Sequence, residues 1–299
     1  PPRTPPPAPG QQRATCKPSA TPAPAGGLQL IRVDAMDQKA QGHKGMRYAG
    51  GKNGAGVYQT IISMIPAHAV YVEAFAGSAA IARRIKPAGR TILMERDPAM
   101  ADRLRAAMPA ATVMGCDAVP ELEKLAMGDG LAGWFFYLDP PYLHSTRKDL
   151  ALYKFEMSDA THRHLVASVL PALSAAGALF ALSGYRSAMY DEAAASSGWA
   201  RRDFQAMTRR GVATESLWMN YDPENIRPHD LRYIGGSFRE RERIKRKASR
   251  WVAKILAMPD LERQFILASI AKADEGPPPA APAMEYSSIA TKSEGVPSA

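Results

Sequence analysis

Cysteine is nearly absent from this chain: Cys16 and Cys116 are the two in 299 residues. That is too few for a disulfide framework or a thiolate metal cluster. The six histidines show no paired spacing with cysteine or glutamate, so no metal site is expected. So little cysteine fits a reducing, cytoplasmic home. Apolar runs are broken by charge well short of a membrane span, and the amino-terminal stretch lacks the apolar core of a secretory signal. Acids are outnumbered, with 29 Asp and Glu against 38 Lys and Arg, a formal net charge of +9 that suggests a polyanionic partner. Large apolar side chains are scarce at both ends, where Pro, Ala, Thr and Gln dominate Pro1 to Gly27 and proline-rich sequence surrounds Gly276-Pro277-Pro278-Pro279. Such compositions cannot bury enough surface to offset ordering, so residues 1–44 and 274–299 are expected to be disordered tails.

Between the tails the composition changes. With 46% hydrophobic residues overall there is enough for a sizeable core, placed in one domain over 45–226. A helical appendage over 227–273 follows it. Most of the excess charge lies there: Arg227 to Lys254 holds ten Lys or Arg against three acids. Arg239, Arg241, Arg243, Lys245, Arg246, Lys247 and Arg250 are candidates for nucleic-acid contact, against the plainer reading of a solvated basic helix.

One stretch organises the rest, Gly133-Trp134-Phe135-Phe136-Tyr137-Leu138-Asp139-Pro140-Pro141-Tyr142. Its five large apolar residues read as a strand buried on both faces, which Asp-Pro-Pro ends because proline lacks an amide donor and fixes φ. An acid and an aromatic ring therefore stand at the carboxyl edge of a strand, where open α/β sheets bind ligands. Methyl transfer to an amine conjugated to a ring suits this arrangement. Such a nitrogen is a poor nucleophile, and a site activates it by accepting its N–H bonds and drawing it towards a tetrahedral shape. The Asp139 carboxylate and the Pro140 carbonyl are two acceptors on a turn that Pro141 stiffens, and Tyr142 offers a face on which a flipped base could stack. Asp-Pro-Pro is equally a good turn former, and Tyr142 equally a half-buried ring.

Along the chain, Tyr48-Ala49-Gly50-Gly51-Lys52 makes a glycine-bearing turn before an amphipathic helix with Val57, Ile61, Ile62 and Ile65 that stops at Pro66. A strand follows over Ala69 to Phe75, with Glu73 near its end, then the small-residue turn Ala76-Gly77-Ser78 and a predicted helix through Ile81, Arg84 and Ile85. Strand, turn and helix start make half of a nucleotide-binding unit, though the full GxGxxG pattern is absent. The next strand, Thr91 to Met94, ends at Glu95, an acid about 20 residues past the turn, where a ribose diol would be held. Asp97 before Pro98 reads as a helix cap. A third strand ends at Asp117. Glu73, Glu95, Asp117 and Asp139 thus fall 22 residues apart along one expected sheet rim. After Asp139 come a helix opened by Ser158, a strand over Gly177 to Leu182, and a hairpin of Trp199 to Met207 with Ser216 to Asn220. Two helices, Ala248 to Ala257 and Leu261 to Ala271, break at Pro259.

Taken in order, Tyr48-x-Gly50-Gly51-Lys52, Phe75-Ala76-Gly77-Ser78, Glu95, Asp117 and Asp139-Pro140-Pro141-Tyr142 resemble the Dam-like DNA adenine methyltransferases, over about Met46 to Ile270. Ser183-Gly184-Tyr185, Leu217-Trp218-Met219-Asn220 and the basic tail look like the small enzymes of phages and prophages. The resemblance implies a Rossmann-like fold of seven mostly parallel strands with a C-terminal antiparallel hairpin, S-adenosylmethionine as cofactor and double-stranded DNA as partner. It also implies that Tyr48 and Lys52 face the methionine end of the donor, that the backbone of Phe75, Gly77 and Ser78 wraps the same moiety, that Gly50, Gly51 and Glu73 belong to the cofactor site, that Glu95 holds the ribose and Asp117 the donor's adenine, and that Asp139 to Tyr142 hold the target base. Ala79 stands where the family usually has glycine, and Ala118 follows Asp117 where Dam has an aromatic. The forty or so residues between Glu95 and Asp139 leave no room for Dam's recognition domain, so the basic segment is the candidate reader of DNA. Cytosine, RNA or a protein glutamine are alternative acceptors, and a catalytically silent nucleic-acid-binding homologue is a rival of another class.

Overall fold

The computed structural model describes residues 51–54, 56–128, 130–147, 153–208 and 211–274. Tyr48, Gly50 and both expected tails lie outside them, apart from the helix end at Asp274.

Seven strands form one sheet: β1 (Val70–Ala74), β2 (Arg90–Met94), β3 (Thr112–Met114), β4 (Trp134–Leu138), β5 (Leu179–Gly184), β6 (Ala200–Thr208) and β7 (Gly211–Met219). Their order across the sheet is β3-β2-β1-β4-β5-β7-β6, parallel except for β7, which runs against β5 and β6. This is a Rossmann-like α/β fold of seven mostly parallel strands with a C-terminal antiparallel hairpin, as expected from the sequence. The chain winds outward from β1 through β2 and β3, then returns to place β4 on the other side of β1. That reversal splays the connections apart and opens a crevice beyond the carboxyl ends of β1 and β4.

Side-chain alternation divides the core into two layers. Phe136 and Leu138 face one side with Val72, Phe180 and Trp218, covered by α3 (Ala118–Ala126), α5 (Leu170–Ala175) and α6 (Ala188–Ser197). Phe135 and Tyr137 face the other with Tyr71, Leu93 and Leu217, covered by α1 (Val57–Ser63) and α2 (Pro98–Ala107). Each such ring or branched chain contributes about 1.5–3 kcal/mol on full burial, which fixes the central strands firmly. Between α3 and α5, Ser158 caps α4 (Asp159–His164), and a π-helical stretch, Leu165–Val169, carries α4 into α5. Pro171 explains the widened turn, since it has no N–H and its ring would collide with the carbonyl four residues back in a regular helix.

Three expectations are corrected. The segment after Ser78 is a series of turns rather than a helix. The Ala82 amide donates to the Glu73 carboxylate at 2.7 Å and not to a carbonyl one turn earlier, so the helical ladder is interrupted at its start. The second hairpin strand begins at Gly211, five residues before Ser216, because β6 pairs with it along its whole length. The penultimate helix begins at Phe238, capped by Ser237, so the basic segment is part of one nineteen-residue helix, α7 (Phe238–Leu256), which precedes α8 (Asp260–Asp274).

Candidate active site

The turn after β1 is drawn over the sheet rim by two acids. Glu95, buried at the end of β2, accepts the Gly77 amide at 2.7 Å on one oxygen and the Asp97 amide at 2.7 Å on the other. Glu73, buried at the end of β1, accepts from Ala82 and, at 3.1 Å, from the Tyr71 hydroxyl. Burial lifts the Glu73 carboxyl to about 7, against the pull of its hydrogen bonds. Burial raises Glu95 as well, partly opposed by the amides it accepts. The turn bends sharply, with positive φ at Phe75 (61°), Gly77 (51°) and Ala79 (50°). Ala79, the departure noted in the sequence, thus holds a left-handed conformation that glycine adopts without strain.

Glu73, Phe75, Gly77 and Glu95 line a cleft of about 250 Å³. Gly51, Lys52, Ser78, Asp117, Asp139 and Pro141 line it with them. Asp117 also caps α3, accepting from the Val119 amide at 3.3 Å, and lies 3.4 Å from the Arg96 guanidinium. Asp97 is a cap, as expected, with its carboxylate on the Ala99 amide.

Around Asp139 stands a cluster of buried charge. Lys52 is 3% exposed, and its ammonium donates to both Asp139 oxygens, at 2.7 and 2.8 Å, and to the Tyr142 hydroxyl. Glu215 of β7 lies 3.4 Å from the same ammonium and accepts the Tyr142 O–H at 3.1 Å. Burial works against the charged lysine, but Asp139 and Glu215 outweigh it and hold its pKa above the ordinary value. The Ser183 hydroxyl at the end of β5 donates to Asp139 at 2.8 Å and meets the Tyr137 hydroxyl at 3.0 Å. Asp139, which follows β4, is therefore held by Ser183 at the end of β5 and by Lys52, which precedes α1.

The predicted residues do not all face the cleft. Pro140 is buried, and the Tyr142 ring is buried edge-on against Tyr185, 4.7 Å between centroids, with its hydroxyl inside the charge cluster. Tyr142 is thus an anchor for Lys52 and Glu215, and its ring is not among the cleft walls. Of the seven basic candidates, Arg241 is buried and donates to the Gly235 carbonyl at 3.0 Å, while Arg239, Arg243, Lys245, Arg246, Lys247 and Arg250 are exposed along α7.

Sequence reasoning missed Glu215 and the wall made by Tyr153, Phe155 and Met157. Arg147 holds that wall in place by bonding the Tyr142 carbonyl at 2.8 Å and pairing with Glu156, which in turn accepts the Tyr153 amide at 3.0 Å. Phe155 lies under the Arg96 guanidinium, 5.4 Å from ring centroid to carbon, and supplies an aromatic side chain to the cleft where Ala118 has none. A lone acid in the polar run before an apolar strand was the available signal for Glu215. For Phe155 the sequence carries none.

No protein-family model and no curated protein matches this chain. Solved structures with partial likeness include precorrin 8w decarboxylase from Methanobacterium thermoautotrophicum, at 11% identity over 55% of this chain and 87% of that one, with a TM-score of 0.34. They also include a SAM-dependent methyltransferase from Agrobacterium tumefaciens, at 11% over 56% and 59%, TM-score 0.35. A third is TrmN from Thermus thermophilus, at 14% over 54% and 46%, TM-score 0.37. At these scores the likenesses add nothing to what the strand order establishes.

Proposed function

We propose that the chain is an S-adenosylmethionine-dependent methyltransferase acting on the exocyclic amine of adenine in DNA. The observation that carries this is the placement of Asp139. It is a carboxylate on a Pro-Pro turn at the sheet's reversal point, lining a cleft that Glu95 and Asp117 also line.

The donor set fits S-adenosylmethionine. Glu95 offers acceptor oxygens to a ribose diol and Asp117 to an adenine amine, while Asp139 sets a carboxylate on the same cleft for a sulfonium cation. When bound, S-adenosylmethionine supplies an electrophilic methyl group. The chain's own part is to orient and polarise. Asp139 accepts the N–H bonds of the incoming amine and localises its lone pair, and Ser183, itself bonded to Tyr137, keeps the carboxylate from rotating away. The Tyr185 ring, half-buried beside Tyr142, offers an aromatic surface to an extruded base. The exposed basic residues of α7 bind duplex phosphates, and the absence of an insert between Glu95 and Asp139 leaves site reading to the same segment.

The test is transfer of labelled methyl from S-adenosylmethionine to separate DNA, RNA and protein acceptors, followed by identification of the modified residue. N6-methyladenine in DNA is the expected product. Label in RNA, in cytosine or in glutamine would replace the substrate assignment, and no label on any acceptor would favour a silent nucleic-acid-binding protein.

A further inference from the structure

Lys52 occupies the place where the proposed acceptor amine has to dock. Its ammonium bridges both oxygens of Asp139, and one of these already accepts from Ser183. An amine that is to be polarised by this carboxylate must displace the ammonium from at least one oxygen. A buried ammonium cannot simply be released, because a charge left unpaired in the interior costs several kcal/mol. A second carboxylate stands next to it. Glu215 is 6% exposed, its oxygen lies 3.4 Å from the ammonium, and the Tyr142 hydroxyl that links them already accepts from Lys52 and donates to Glu215. A shift of the ammonium by about 0.6 Å closes the 3.4 Å gap to Glu215 to hydrogen-bond length.

We infer that Glu215 is a positioning residue that takes up the Lys52 ammonium as the acceptor amine reaches Asp139, so that the lysine holds the empty pocket closed and yields it without losing its counter-charge. The inference rests on the reading that Asp139 receives the acceptor amine. It accounts for an acid on β7 whose neighbours in the register, Thr214 and Ser216, are small and polar. It also gives the hairpin a part in the chemistry, since β7 is the strand that carries Glu215 to Lys52.

The test compares Glu215→Gln, Glu215→Asp and the double variant Lys52→Met/Glu215→Gln with the wild type, at saturating donor, on whichever acceptor the wild type labels. Glu215→Gln should bind S-adenosylmethionine within about twofold of wild type yet show a kcat/KM for the acceptor lowered about 100-fold, because of the two carboxylates beside the ammonium only Asp139, the one the amine needs, then remains. Glu215→Asp, whose shorter side chain holds its carboxylate farther from the ammonium, should fall about three- to tenfold below wild type. Removing the lysine as well should raise kcat/KM at least about tenfold above Glu215→Gln, whereas a Glu215 that merely supports the fold would leave the double variant no better than the single. Unchanged kcat/KM in Glu215→Gln, or no recovery in the double variant, overturns the inference. If Glu215→Gln does not fold, Glu215→Asp is decisive: a drop in kcat/KM with normal donor affinity supports the inference, and full wild-type activity overturns it. A wild type that labels RNA or protein instead of DNA overturns the substrate reading alone, and one that labels nothing overturns both.

Discussion

Replacing Asp139 with asparagine keeps the side chain's size and removes its charge, which separates what the carboxylate does for the fold from what it does for an acceptor amine. From the sequence Asp139 reads as a group facing only substrate, so its loss should leave stability close to wild type. The structure alters that expectation, because Lys52 is buried against it. An orphaned interior charge would cost about 3–5 kcal/mol, but Glu215 remains 3.4 Å from the ammonium, so the loss should be nearer ~1–2 kcal/mol. For a domain of this size that is a fall in Tm of roughly 2–8 °C, readable by calorimetry. The effect on transfer should be larger. An amide presents one acceptor and one donor where the carboxylate presents two acceptors, so the N–H of an incoming amine would meet an N–H. Losing one preorganised partner of a transition state typically costs a hundredfold to a thousandfold, about 2.7–4 kcal/mol. The assay is single-turnover methyl transfer with donor affinity measured in parallel. Retention of more than about a tenth of wild-type turnover, a barrier change below ~1.4 kcal/mol, would refute the role given to Asp139.

Glu95→Gln should weaken S-adenosylmethionine binding by about 1–3 kcal/mol in calorimetry while the fold persists, since an amide oxygen can still accept the Gly77 or the Asp97 amide; unchanged affinity would remove the ribose contact from Glu95. Exchanging the exposed Arg243, Arg246 and Lys247 for Gln should reduce the slope of log DNA affinity against log salt by roughly 2–3, with donor binding unaffected, and equal slopes in filter-binding titrations would dismiss α7 as the phosphate contact. His162 is fully buried with Nδ1 2.7 Å from the Tyr190 hydroxyl, and burial pulls its pKa down from 6.5 to about 4. The unfolded chain therefore binds the proton first, so stability is complete above pH 6.5 and falls as pH drops towards 4, by up to roughly 3 kcal/mol from this group. Urea unfolding of wild type and His162→Gln at pH 7, 5.5 and 4 should show the variant losing less over that window; parallel curves would contradict the burial argument.

The sequence by itself determined the strands and the rim. Runs such as Phe135 to Leu138 have only one way to bury every side chain, as a central strand, and Asp-Pro-Pro has only one way to follow it, as a turn. The spacing from Glu73 to Asp139 then placed four acids at successive strand ends, and all four line the cleft. Local signals also sufficed for the caps at Asp97 and Ser158, because capping involves only the next few amides. What lies between distant segments was decided by tertiary structure alone. Glu73 stops a helix that the residues after Ser78 would favour, since a buried carboxylate gains more from the Ala82 amide than the turn gains from one carbonyl. Lys52, Asp139 and Glu215 meet across 163 positions of chain because β7 inserts antiparallel beside β5, and no periodicity in either segment encodes that pairing. Tyr142, read as a stacking surface, is turned inward to bridge the lysine and the glutamate for the same reason: an ion cluster buried at the end of a sheet needs its remaining donors and acceptors filled, and a phenol one turn away fills them.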